Sequence, residues 1–138
     1  MKRLIFSVTI ILFVGALNGQ VMQKGSLLGF HVVDEPSLNA GVTIKQFEDF
    51  YYNKYIPEFQ KLFTELEVIP LKGLRGEHVD KVGMIIFMKN EKVRDMYWNE
   101  DGSHNETSLA LLAKMAPIQE EANNMGTMVD LYTDWLVK

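Results

Sequence analysis

The sequence predicts an α+β domain in which four strands and two helical regions follow one another in the order β-α-β-β-α-β. Three observations support this prediction. Short runs rich in β-branched and aromatic residues, such as residues 27–34 and 81–90, are typical of strands. Two longer runs repeat their apolar residues at steps of three and four, which is the helical period. Turn and loop residues separate these runs.

The first strand is predicted over residues 27–34, and Pro36 is expected to close it. A capping box of Thr43 and Gln46 then opens a helix that continues to about residue 65. Pro57 lies inside this helix. Because proline removes one internal hydrogen bond and crowds the carbonyl group four residues earlier, we expect a kink there.

Residues 67–77 and 81–90 predict the second and third strands. Pro70 belongs at a sheet edge or at a strand start. Gly73 and Gly76 indicate a bulge or a close approach of the backbone. The short turn between the two strands predicts an antiparallel hairpin.

Residues 91–98 predict a short helix, and a capping box at residues 103–106 opens a second long helix. Pro117 lies inside this helix, and Gly126 is expected to end it in the left-handed conformation. Residues 127–138 alternate in the manner of a last strand.

This order of elements is that of the ferredoxin-like split βαβ fold, an antiparallel sheet with both helices on one face. The other face still needs cover, because it carries Leu, Met, Trp or Tyr in either register of the strands. A ligand, a partner sheet or both must bury that face.

The N-terminal residues 1–19 predict a secretory signal peptide. Two cations precede an apolar run over residues 4–14, and small and polar residues follow, with cleavage expected near Gly19. A membrane anchor is the alternative, but the run is shorter than the roughly 20 apolar residues that a span needs. We expect residues 20–138 to form one secreted or periplasmic domain, with no stable membrane span once the signal is removed.

The composition excludes several classes of function. The chain contains no cysteine, so thiol catalysis and thiolate metal sites are excluded, and packing rather than disulfides must stabilise the domain. The formal net charge is −4 at pH 7, and loss of the signal peptide makes the domain more acidic. An acidic domain argues against nucleic acids and anionic membranes as partners.

The segment FEDFYYNKYIPEF, residues 47–59, resembles the first helix of the ethyl-tert-butyl-ether-degradation-type proteins of the dimeric α+β barrel superfamily. The segments MQKGSLLGFHV, LKGLRGE and YTDWLVK are similar to small secreted bacterial members without assigned activity. The resemblance implies a homodimer in which two sheets enclose a cavity. The superfamily includes cofactor-independent monooxygenases, haem-degrading enzymes, dehydratases, isomerases and binding proteins. The resemblance therefore does not indicate which of these functions the chain has.

His31 is the candidate catalytic residue, because a histidine moves protons near neutral pH. If Leu28, Phe30 and Val32 face the helices, His31 faces the cavity, and Gly29 beside it leaves room for a ligand. The alternative is a core histidine whose hydrogen bonds are satisfied.

Four residues are candidate ligand contacts. Arg75 would clamp a carboxylate or phenolate, and its alternative is a salt bridge or simple exposure. Tyr132 shares a strand face with two aspartates and Trp135 lies on the opposite face, with ordinary alternation favouring Trp135 inside the cavity. The related barrel proteins often carry a histidine two residues before the helix proline, where this chain has Tyr55.

The sequence indicates no metal site and no cofactor, since the three histidines lie far apart and no phosphate- or dinucleotide-binding motif is present. We expect a secreted dimeric barrel that binds a small, partly apolar molecule. One alternative is a cofactor-independent monooxygenase- or isomerase-like enzyme acting in the cavity. The other is a structural or interaction module whose sheet interface is filled.

Overall fold

A computed structural model describes residues 22–138, apart from the side chains of residues 34–36, 128 and 130. The predicted signal peptide, residues 1–19, lies outside the described residues. The strands are β1 (Leu27–Leu38), β2 (Glu67–Lys72), β3 (Val82–Met88) and β4 (Gly126–Leu136). The helices are α1 (Ile44–Phe50), a π-helical segment (Tyr51–Tyr55), α2 (Ile56–Leu62), α3 (Glu91–Asp95), α4 (Glu106–Lys114) and α5 (Ala116–Met125).

The four strands form one antiparallel sheet in the order β2-β3-β1-β4. The predicted α+β class, the antiparallel sheet and the β2–β3 pairing are therefore confirmed, and the arrangement is consistent with the ferredoxin-like order. Strand β2 lies at an edge, where the missing N–H of Pro70 is tolerated, which is one of the two positions that the sequence left open. None of the helices within residues 22–138 is long and apolar enough to cross a membrane.

The hydrophobic core lies between one face of the sheet and the helices. Phe63 is fully buried and stacks on Phe59 with ring centroids 4.2 Å apart. Each such buried side chain contributes about 1.5–3 kcal/mol relative to its exposed state. The core combines strand and helix residues, among them Leu27, Val33, Met84, Ile86, Met88, Phe47, Tyr51, Ile56 and Met115.

In the first helical region the predicted capping box is confirmed, and a π-helical segment stands where a kink was predicted. The N–H of Gln46 donates to the Thr43 hydroxyl at 3.3 Å, and the N–H of Thr43 donates to the Gln46 side chain at 2.8 Å. Before Pro57 the helix widens into the π-helical segment, where the N–H of Ile56 donates to the carbonyl of Tyr51. The helical region ends at Leu62, earlier than predicted.

The prediction that Pro36 closes the first strand is wrong. Strand β1 continues to Leu38, and its pairing with β4 shifts register between Asp34 and Ser37. An irregularity of this kind lets a strand pass a residue that has no N–H to donate.

The predicted second long helix is two helices that meet at Met115. Pro117 lies in the first turn of α5, where its missing N–H costs no internal hydrogen bond. The cap of α4 is Asn105 rather than Ser103, since the Asn105 side chain accepts from the N–H of Ser108 at 3.1 Å.

The predicted left-handed end at Gly126 is also wrong. Gly126 is extended, with φ 163°, and is the first residue of β4. A Cβ atom at this position would collide with the carbonyl oxygen of Ser37. The glycine is needed because β1 and β4 approach closely there.

Candidate functional site

The register of β1 decides which side chains lie on each face of the sheet. Leu27 and Val33 are buried in the core under the helices. His31 shares their alternation, so it faces the helices, whereas Phe30 and Val32 lie on the opposite face. This register is the opposite of the one that would turn His31 towards a cavity on the helix-free face.

The helix-free face of the sheet, named here the open sheet face, is apolar across all four strands. Val129, Leu131 and Trp135 of β4 are 55%, 46% and 58% exposed, and Ile69 of β2 is 42% exposed. Contiguous apolar exposure of this kind marks a binding or interaction surface. Cross-strand pairing aligns the face into three rows: Leu71, Gly83, Val32 and Leu131; Ile69, Ile85, Phe30 and Thr133; Glu67, Phe87, Leu28 and Trp135.

Two adjoining grooves cross the open sheet face. The larger has a volume of about 600 Å³, and the smaller one of about 180 Å³. His78, from the loop between β2 and β3, and Val32 line both grooves. The larger groove is otherwise lined mainly by Phe30, Leu131, Thr133 and Trp135, and the smaller one by Leu71, Lys72, Lys81 and Gly83.

Basic residues line the smaller groove. Lys72 and Lys81 line it together with His78. Lys72 also makes an ion pair with Glu48 at 2.7 Å, and this hydrogen bond raises the pKa of Lys72. Among the described residues, none that lines either groove is acidic.

The opposite face carries a second feature, a polar and aromatic group named here the helix-side cluster: His31, Trp98, His104, Ser108, Tyr132 and Asp134. The rings of His31 and Tyr132 have centroids 4.5 Å apart, and Tyr132 stacks on Trp98 at 6.4 Å. The Tyr132 hydroxyl donates to the carboxylate of Asp134. Burial, followed by this hydrogen bond, raises the pKa of Tyr132 well above its usual range.

Tyr132 also fills the space beside Gly29 in which the sequence predicted room for a ligand. A Cβ atom on Gly29 would lie 2.7 Å from the Tyr132 ring. The missing side chain of Gly29 therefore accommodates a neighbouring tyrosine of the same chain.

His104 lies at the solvent side of the helix-side cluster. Its Nδ1 is 2.5 Å from the hydroxyl of Ser108, which is fully buried in the first turn of α4. Burial, and secondly the charge of His31, lower the pKa of His104, so its imidazole is neutral at pH 7. A neutral imidazole with one nitrogen fixed by a hydroxyl directs the other as an acid or base.

The sequence reasoning missed His104 and Ser108 as a pair. The signal was present, because the two residues are four positions apart in a stretch predicted as helical, and that spacing places side chains on one side of a helix. The expected capping box at residues 103–106 concealed it, since it assigned this stretch to helix initiation alone.

The structure brings together only two of the predicted site residues, His31 and Tyr132. Trp135 lies on the open sheet face, as its alternation predicts, and Arg75 is exposed in the loop between β2 and β3. Tyr55 lies in the helical layer, stacked on Tyr51 with ring centroids 5.5 Å apart. His31 and Arg75 therefore do not form one pocket here, and the roles of all five residues stay predictions.

Among the side chains that the structure describes, no group of three or more His, Asp or Glu is arranged to hold a metal ion. The chain matches no protein-family model, and no curated protein matches it.

Proposed function

We propose that this chain is a secreted, small-molecule-binding protein of the dimeric α+β barrel type, with the ferredoxin-like fold in each copy. A second copy covers the open sheet face, and the grooves on that face become an enclosed cavity for a small, partly apolar ligand. The observation that carries this proposal is the exposure of large apolar side chains in register across the sheet.

The chemistry of the open sheet face suits a second copy of the same chain. A two-fold interface places the same patch on both sides, so like charges on that patch would repel. Glu67 is the only charged residue in the three cross-strand rows that define the face. Covering the apolar side chains contributes about 25 cal/mol for each Å² removed from water.

The test is the solution mass of the purified protein, measured by light scattering across a dilution series. We expect a dimer that persists to low micromolar concentration. Leu131→Lys places a charge at the centre of the open sheet face and should give a monomer. Leu109→Lys is the matched control, because Leu109 is 55% exposed on α4, away from that face.

Circular dichroism of both variants shows whether each one is folded. A wild-type protein that is monomeric at every concentration contradicts the barrel proposal. Equal dissociation of the two variants contradicts the choice of interface.

A second candidate function is acid–base catalysis, which the pairing of His104 with Ser108 favours. In this alternative a cofactor-independent monooxygenase- or isomerase-like reaction takes place at the helix-side cluster. His104 is the solvent-accessible base, and His31 is a proton shuttle behind it. Loss of turnover in His104→Gln, with Lys114→Ala as the control, is the expected result for any substrate that the protein converts.

A further inference from the structure

We propose that Ser108 is a positioning residue for His104: its hydroxyl donates to Nδ1 and keeps the proton of the neutral imidazole on Nε2. His104 then presents an N–H donor on the side of its ring that lies away from Ser108. This inference rests on the second candidate function, in which His104 handles protons, and it names the group that sets the form of the ring.

The Ser108 hydroxyl has one hydrogen-bond partner among the described residues. Its Oγ lies 2.5 Å from Nδ1 of His104, and Ser108 is fully buried. A serine hydroxyl carries one proton to donate, and a buried donor that has no acceptor costs free energy. If Nδ1 carried the proton of the imidazole, the Ser108 proton would have no acceptor among the described residues. The hydroxyl is therefore expected to donate to Nδ1.

The backbone around the pair holds both side chains in place. The N–H of Ser108 donates to the side chain of Asn105, which caps α4. His104 forms an isolated antiparallel bridge with the buried Trp98, and the two rings have centroids 5.9 Å apart. The N–H of Asn105 also donates to the carbonyl of Tyr97 at 3.1 Å. Both ends of the hydrogen bond are thus attached to fixed backbone, so the ring has little freedom to turn Nδ1 away.

The hydrogen bond at one ring nitrogen decides which tautomer a neutral histidine adopts. Burial, and secondly the charge of His31, lower the pKa of His104, so the neutral form is present at pH 7. When Nδ1 accepts, the proton of that form lies on Nε2. A base at Nε2 arises only when the proton moves to Nδ1 and the Ser108 hydroxyl turns to accept from it. The base of the second candidate function is therefore the minor form of the resting protein.

The test is NMR of the two ring nitrogens of His104 in isotope-labelled protein at about pH 8, above the ordinary histidine pKa. The nitrogen chemical shifts and their couplings to the ring protons show which nitrogen carries the proton. We expect one tautomer, with the proton on Nε2 and none on Nδ1. A proton on Nδ1, or the mixture of tautomers that a histidine in a short peptide shows, would overturn the proposal.

Two variants show whether Ser108 is responsible. Ser108→Ala removes the hydroxyl and should shift the ring of His104 towards the peptide-like mixture of tautomers. Thr107→Ala removes an exposed hydroxyl from the same turn of α4 and should leave the His104 signals unchanged. An unchanged tautomer in Ser108→Ala, or equal effects of the two variants, would contradict the role of Ser108. The wild-type spectrum tests the tautomer without any substitution, so a Ser108→Ala protein that does not fold leaves that result intact.

Failure of this role is distinguishable from failure of the second candidate function, because the tautomer is measured without a substrate. A ring fixed with its proton on Nε2 supports the role of Ser108 even if His104→Gln converts a substrate as fast as the wild-type protein does. That result would overturn the second candidate function alone. A wild-type ring with mixed tautomers overturns the role of Ser108 even if His104→Gln abolishes turnover.

Discussion

Tyr132 holds the helix-side cluster together at the scale of single residues. Its ring contacts His31 on one side and Trp98 on another, and its hydroxyl donates a hydrogen bond to Asp134. It occupies the space that Gly29 leaves open. The arrangement thus depends both on the missing side chain of Gly29 and on the ring of Tyr132.

We predict that Gly29→Ala destabilises the protein by about 1–3 kcal/mol, the usual cost of overpacking. The new methyl group would lie 2.7 Å from the Tyr132 ring and would push it away from its neighbours. Urea unfolding measures the change. In a Tyr132→Ala background the same substitution should cost far less, and an equal cost in both backgrounds would contradict the contact.

The titration of His104 predicts how the stability of the protein depends on pH. Because burial and His31 lower its pKa, the unfolded state binds more protons than the folded state below about pH 6.5. Stability from this group is therefore present above that pH and is lost as the pH falls through the folded-state pKa. NMR titration should find His104 below the ordinary histidine value, and a value at or above it would refute the prediction.

At the scale of one element, substitution of Asn105 tests which residue caps α4. We expect Asn105→Ala to lower the free energy of unfolding by about 1 kcal/mol, because its side chain accepts from the N–H of Ser108. Ser103→Ala should change stability by less than about 0.5 kcal/mol, since Ser103 is exposed and its hydroxyl bonds only to two exposed neighbours, donating to Asp101 and accepting from Asn99. Thermal or urea unfolding of both variants decides which residue caps the helix, and the reverse order of effects would restore the sequence-based assignment.

The elements that local rules describe were predictable, and those set by tertiary pairing were not. The Thr43 cap and the β2–β3 hairpin follow from short motifs. The path of β1 past Pro36 depends on its pairing with β4, which no local pattern contains. Similarly, a proline at position 117 indicates an irregularity in the helix. The sequence alone does not indicate that Pro117 lies in the first turn of a new helix.

The candidate site was less predictable than the fold because β1 is apolar on both faces. In the segment LLGFHVV, residues 27–33, alternation gives no polar side to mark solvent. A shift of one residue moves every side chain to the other face. The position of His31 was therefore undecided until the sheet was packed against its helices.

At the scale of the whole molecule, the sheet separates two surfaces of different chemistry. The open sheet face is apolar, and the helix-side cluster is polar and aromatic. The proposed second copy would cover the first surface and leave the second within each copy. The proposed dimer and the proposed acid–base chemistry at His104 would thus be separate properties, and the Leu131→Lys variant should keep the titration of His104 if it stays folded.

The alternation of β4 has a consequence for how this protein could diversify or be redesigned. Leu131, Thr133 and Trp135 line the larger groove, whereas Tyr132 and Asp134 belong to the helix-side cluster. One strand thereby carries two interleaved sets of positions that face different surfaces. Under the proposed function, substitutions at the odd-numbered positions would change ligand preference while leaving Tyr132 and Asp134 in place, so a library restricted to those positions would explore new specificities without altering the helix-side cluster.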